Sequence, residues 1–97
     1  MTYSIKVHDD FKKDLVKLSQ PIQDQLYKKL QKVQQNPHIP KNRLSGDLSS
    51  CYKIKLLKAG IRLVYQVIDD EVVILLVTVG KRADSEVYDE AKHRLDV

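Results

Sequence analysis

The sequence predicts an α+β domain: an N-terminal strand, an antiparallel helical hairpin, a mostly antiparallel sheet of about four strands and a short C-terminal helix. Three observations lead there. Between residues 11 and 33 apolar side chains recur every three or four positions, the period of a helix face. Between residues 51 and 68 they alternate with polar ones, the period of a strand. The run from Val72 to Val79 is apolar on both faces, as expected of a central strand covered on both sides.

The elements follow in order. Tyr3-Ser4-Ile5-Lys6-Val7 alternates and reads as a half-buried strand. Asp9 or Asp10 can cap the helix after it, on which Phe11, Leu15 and Leu18 share a face. Ser19-Gln20-Pro21 ends that helix and starts a second, because proline suits a first turn. Ile22, Leu26, Leu30 and Val33 line the second helix, and Asn36-Pro37 closes it, since the residue before proline disfavours helical backbone. So tight a connection makes the two helices an antiparallel hairpin. A loop from His38 to Ser50 leads to three strands, Cys51–Leu57, Ile61–Ile68 and Val72–Val79, with turns at Ala59-Gly60 and Asp69-Asp70. Asp84 or Ser85 can cap a last helix whose apolar face is Val87, Ala91 and Leu95.

Ninety-seven residues fill one domain, expected to span 1–97. Apolar residues at 42% and charged ones at 31% exclude a disordered tail. The longest apolar run is far below the about 20 residues that a membrane helix needs. The N-terminus has no apolar stretch of a signal peptide, and the single Cys51 excludes an internal disulfide. These features point to the cytoplasm.

Charge is unevenly placed. Residues 41–62 carry Lys41, Arg43, Lys53, Lys55, Lys58 and Arg62 against Asp47 alone. Residues 63–97 carry four cations against eight acids. A basic middle segment attracts phosphate polyanions, nucleic acid first among them. It also suits a solvated edge hairpin guarded from aggregation by lysines.

Strand parity sharpens this reading. Lys53 and Lys55 share a face because alternate residues do. An even loop to the next strand, with Leu57 opposite Arg62, Lys55 opposite Val64 and Lys53 opposite Gln66, puts Arg62 on that face too. Tyr52, Ile54, Leu56, Leu63, Tyr65 and Val67 then gather on the other face as a core, which is why the even register is favoured. Three cations are thus expected on one open sheet face with no acid among them.

Several chemistries are excluded. The sequence has no Gly-rich phosphate loop, no GxSxG and no HExxH. His8, His38 and His93 lack metal-ligand spacing, and no acidic cluster falls on a predicted strand face, so no metal and no cofactor are expected. Cys51 reads as a small apolar residue. An enzyme built from this chain must work with Lys, Arg and Tyr.

Four strings carry a family resemblance: Cys51-Tyr52-Lys53-Ile54-Lys55-Leu56, Gly60-Ile61-Arg62-Leu63-Val64-Tyr65-Gln66-Val67, Val79-Gly80-Lys81-Arg82 and Ser85-Glu86-Val87-Tyr88. Together with the helical hairpin they resemble the RelE toxins of bacterial toxin–antitoxin systems over nearly the whole chain. The resemblance implies a microbial-ribonuclease-like fold. It implies a ribosome-dependent endoribonuclease that cuts mRNA in the ribosomal A site, using the RNA's 2′-hydroxyl as nucleophile. Lys55 then matches the general base, Arg62 the stabiliser of charge on the phosphate and Arg82 the group at the leaving oxygen. Lys53 matches a further cation near the phosphate, and Tyr88 an aromatic that stacks on the nucleotide. An arginine keeps its proton, so Arg82 is read as an electrostatic stabiliser. Lys41, Arg43, Lys53, Lys58 and Lys81 are the expected contacts to RNA and ribosome. The implied partners are a RelB-like antitoxin and the 70S ribosome with its mRNA, with DNA reached only through the antitoxin and no membrane. One departure stands out: Leu44-Ser45-Gly46 replaces the family's Leu-Arg-Gly and removes a cation.

Two other functions fit the same fold: a toxin that poisons DNA gyrase without nuclease activity, and a non-catalytic module that binds RNA or an antitoxin. The set Lys53, Lys55, Arg62, Arg82 and Tyr88 favours the nuclease.

Overall fold

The strand patterns are satisfied by one mixed sheet. The computed structural model describes residues 2–56, 58–81 and 84–96. In it β1 (Ser4–Val7), α1 (Phe11–Leu15) and α2 (Gln20–Gln35) precede β2 (Cys51–Leu56), β3 (Ile61–Ile68), β4 (Val73–Gly80) and α3 (Asp84–Leu95). The strand order is β1-β4-β3-β2. β1 runs parallel to β4, and the other neighbours are antiparallel. β4 is therefore internal, as its two apolar faces require.

Where the chain departs from expectation, local reasons are visible. α1 is a five-residue helix, and Leu18 falls in the turn beyond it. The Lys17 and Leu18 amides donate to Asp14 and Leu15 carbonyls, tightening the last turn, and the Gln23 side-chain amide donates to the Leu15 and Leu18 carbonyls. α2 thereby satisfies carbonyls that would otherwise end α1 unpaired. Asp10 holds the cap position of α1 without a side-chain cap bond; its amide donates instead to His8 Nδ1 at 3.1 Å. β4 starts one residue later than expected because Val72 is left-handed, with φ 56° and ψ 49°, a strained conformation for a β-branched residue. The expected last residue of β2, Leu57, lies outside the described residues, and Asp84 and Ser85, expected to cap the last helix, are instead its first two residues.

The sheet is buried on both sides. Against one face pack Phe11 and the Leu26, Leu30 and Val33 stripe of α2, covering Tyr52, Ile54, Leu56, Leu63, Tyr65 and Val67. This is the core that parity assigned. Against the other face packs α3, whose Val87 and Ala91 meet Leu48, Cys51, Val64 and Val77. Sequence parity treated this second face as open; α3 in fact covers its β3 and β4 part. The cover is possible because Cys51 and Val64 are small and fully buried, and because the register shifts between Val64 and Tyr65: Val64 pairs with Thr78 and Tyr65 with Leu76, leaving Val77 between them without a partner in the ladder. Burial pushes the Cys51 thiol up to about 11, consistent with its reading as an apolar filler.

A polar clasp joins four distant segments. Tyr3 Oη donates to Asp69 Oδ1 at 2.8 Å, and His38 Nε2 reaches the same oxygen at 2.7 Å. His38 Nδ1 lies 3.0 Å from Tyr52 Oη. The His38 hydrogen bond first, and that of Tyr3 next, hold the Asp69 carboxyl below its ordinary range. A carboxylate depressed on folding contributes stability above its unfolded pKa of about 3.9, lost as pH falls through the folded value. Asp69→Asn is therefore expected to lower the melting temperature more at pH 7 than at pH 2.5. Thermal unfolding of both proteins at the two pH values checks this; an equal deficit at both would remove the carboxylate from the account.

Candidate active site

The cationic face is built by β2 and β3. Lys55 pairs directly with Arg62, and Lys53 with Val64. The register is two residues away from the expected one, in which Lys55 faced Val64, but the parity is the same. Lys53, Lys55 and Arg62 therefore share a face, and the actual pairing brings Lys55 and Arg62 closer than expected. Directly opposed residues have Cβ atoms about 4.5–5.5 Å apart, and like charges in that relation repel. An anion between them removes the cost. No Asp or Glu occurs on this face of β2 and β3, whose members are Cys51, Lys53, Lys55, Arg62, Val64 and Gln66.

The row continues into β4. Arg62 pairs on its other side with Gly80, which presents no side chain and leaves room beside the guanidinium. Lys81, exposed, follows at once. Arg82, the expected group at the leaving oxygen, lies outside the described residues. Lys53, Lys55 and Arg62 are partly buried, and Arg62 Nε is sheltered from solvent. A sheltered cation acts more strongly on a nearby anion than one in water.

α3 brings the aromatic. Tyr88 is half-buried and packs with Leu44, Leu75 and Leu95 on the cluster of Cys51, Val64 and Val77. These residues alternate with Lys53 and Arg62 on one sheet face, so the ring stands over the face that carries the cations. Its Oη is buried.

The remaining expected contacts divide into two groups. Lys58, in the β2–β3 turn, and Lys81 are exposed at the end of the sheet that holds Lys55 and Arg62. Lys41 and Arg43 are exposed near the start of β2, where Arg43 forms a bridge to Tyr52. Arg43 Nε donates to the Ser49 carbonyl at 2.9 Å, so part of its fork is committed to holding the loop around Ser45. Among the described residues no group of His, Cys, Asp or Glu could hold a metal ion, and no helix is long and apolar enough to cross a membrane.

Sequence reasoning missed Asp14 and Arg94. Arg94 Nη1 donates to Asp14 Oδ2 at 2.6 Å, and Nη2 to Asp14 Oδ1 at 3.3 Å and Glu90 Oε1 at 3.2 Å. Burial by itself would favour losing the Arg94 proton, but hydrogen bonds and charge from Asp14, with Glu90 and Asp10, outweigh it and hold the guanidinium charged. Nothing in the spacing of two charged residues at opposite ends of the chain reveals their contact.

A family model described as the ParE toxin of the type II toxin–antitoxin system parDE matches residues 5–86. This chain belongs to that family of toxins. It is 46% identical over 95 residues to the mRNA interferase toxin RelE of Escherichia coli strain K12, covering 98% of this chain and 99% of that one. A doubly substituted mutant of the E. coli toxin RelE in the free state superposes with a TM-score of 0.89 at 45% identity, covering 98% and 99% of the two chains. The same toxin in complex with a peptide of its antitoxin RelB gives 0.82 at 46% identity, covering 94% and 95%. The α+β fold of the toxin, with its four-stranded sheet and C-terminal helix, is that of these structures.

Proposed function

We propose that this toxin is an mRNA interferase that acts in the ribosomal A site and thereby inhibits translation. The observation that carries the reading is the cross-strand pair Lys55–Arg62, flanked by Lys53 and by the side-chain-free Gly80. A phosphodiester seated there meets charge on both non-bridging oxygens. Lys55, in its neutral amine form, takes the proton of the 2′-hydroxyl as its oxygen attacks the adjacent phosphorus. Arg62 stabilises the added negative charge, and Lys53 supports it. The bond to the 5′-oxygen breaks, Arg82 stabilises that oxygen while water or a ribosomal group gives it a proton, and the products are a 2′,3′-cyclic phosphate and a 5′-hydroxyl. Tyr88 stacks on the base and fixes the sugar between these groups.

The site is thin, with cations but no dedicated acid of ordinary pKa. Alignment of the attacking oxygen must come from elsewhere, and alignment alone is worth about 7–11 kcal/mol in favourable cases. The ribosome, holding mRNA in a fixed path, supplies it. Lys41, Arg43, Lys58 and Lys81 are the contacts to ribosomal RNA, and residues 1–97 work as one toxin domain. A RelB-like antitoxin is the partner that restrains the activity in the cytoplasm.

Adding the purified toxin to a translating extract and mapping mRNA ends tests this. Codon-phased cuts that require ribosomes are expected. The family description also covers toxins of the parDE type, so intact mRNA together with stalled gyrase complexes would replace this reading with gyrase poisoning. Equal cutting of naked RNA would remove the ribosome from it.

A further inference from the structure

A nearly buried ion pair lies away from the cationic row yet touches both segments that lead to it. Asp14 sits on α1 and Arg94 in the last turn of α3, with side chains 17% and 7% exposed. Arg94 Nη1 also donates to the Val77 carbonyl at 2.8 Å. Asp14 Oδ2 accepts in addition from Thr78 Oγ1 at 3.2 Å and from the Val79 amide at 3.5 Å. One carboxylate thus grips the end of β4, just before Gly80 and Lys81, and the helix that carries Tyr88. The pair spans an open cleft of about 760 Å³ between α1, the end of β4 and α3.

The apolar seat of α3 is narrow: Val87 and Ala91 are its buried members, with Tyr88 and Leu95 partly buried beside them, and apolar contact is non-directional, so it sets burial more than it sets roll. A two-point guanidinium–carboxylate contact fixes orientation as well as distance. Ion pairs withdrawn from water contribute little net stability, because desolvation offsets the attraction, but they can select one arrangement.

We propose that Asp14 and Arg94 are positioning residues for mRNA cleavage: their ion pair sets the roll and height of α3, and so where the Tyr88 ring stands on the sheet face that also carries Lys55 and Arg62. The inference rests on the reading of that face as the cleavage site. Its test uses the full chain. Asp14→Asn is expected to lower the single-turnover rate on programmed ribosomes by about 10–100-fold, the size expected for a misplacement of about 1 Å. The half-saturating ribosome concentration should stay within about threefold, since the contacts to RNA are intact. Arg94→Lys, which keeps the charge and loses the fork, should show a smaller loss of the same kind and decides the matter if Asp14→Asn does not fold. Asp14→Glu should recover most of the rate. Hydrogen exchange of the α3 amides should quicken in Asp14→Asn while the β3 amides stay protected. An unchanged rate in folded variants, a loss confined to ribosome affinity, or unchanged α3 exchange would each overturn the proposal. Exchange reports on the helix whether or not the wild-type chain cuts RNA; a wild type without cleavage would instead sink the assigned reaction.

Discussion

Arg62→Ala is expected to lower cleavage of ribosome-bound mRNA by about 10²–10³-fold, the loss typical when one preorganised donor to developing charge is removed. Arg62 stands between Lys55 on one neighbouring strand and Gly80 on the other, so its guanidinium lies at the middle of the row where a phosphate fits. The charge it meets grows between ground state and transition state, so the loss should fall mainly on the rate and less on ribosome binding. Arg62→Lys keeps one charge but loses the planar fork and should recover only part of the rate. Lys55→Ala should fall in the same range. Because Lys55 and Arg62 face one another, the double variant should cost less than the product of the single losses. Arg62 is partly exposed, so melting temperatures should change little, which separates chemistry from folding. A folded Arg62→Ala protein that cuts within twofold of wild type would remove the row from the mechanism.

How much of this could be read beforehand depended on the range of the interactions involved. Strand parity is local and binary, so the shared face of Lys53, Lys55 and Arg62 was legible from alternation alone. The register was not, because a shift of two residues preserves every face and leaves the hydrophobic pattern unchanged; only the connection between β2 and β3 decides it. The stripe of α2 was legible because about three turns of one period outweigh any local ambiguity, whereas α1 lost Leu18 to a turn that Gln23 of the next helix stabilises. The cover of the second sheet face was hidden by composition: Cys51, Val64 and Val77 look like ordinary strand residues, and only the docking of Val87 and Ala91 makes them a core. Tyr88 was reached through a family string, not through physics. Asp14 and Arg94 left no local signal at all. Long-range ionic contacts depend on where whole elements come to rest, and a short sequence motif does not carry that information.

The largest effect on stability is expected at Tyr65. Its side chain is 0% exposed, its ring stacks on Tyr52 with centroids 5.6 Å apart and planes 14° from parallel, and its hydroxyl donates to the Pro37 carbonyl at 2.9 Å. Burial raises the hydroxyl's pKa, and the neighbouring Tyr52 adds to the rise, so the group remains a donor throughout the physiological range. Tyr65→Ala removes a large buried ring and should destabilise by about 3–5 kcal/mol, a large share of the about 5–15 kcal/mol that holds a domain of this size together. At about 4–8 °C per kcal/mol, the melting temperature should fall by more than about 12 °C. Tyr65→Phe keeps the stack and removes one of two donors to the Pro37 carbonyl, which still accepts from the Ile39 amide at 3.1 Å, so it should cost about 0.5–1.5 kcal/mol. The two variants divide packing from hydrogen bonding, and urea midpoints at constant slope measure both. Tyr65 points to the face of β3 opposite Arg62, so Tyr65→Phe protein that is folded should cut mRNA at the wild-type rate. A Tyr65→Ala protein that melts with the wild type would mean that this ring does not anchor the sheet to the loop after α2, and that the face bearing Arg62 is held rigid by some other contact.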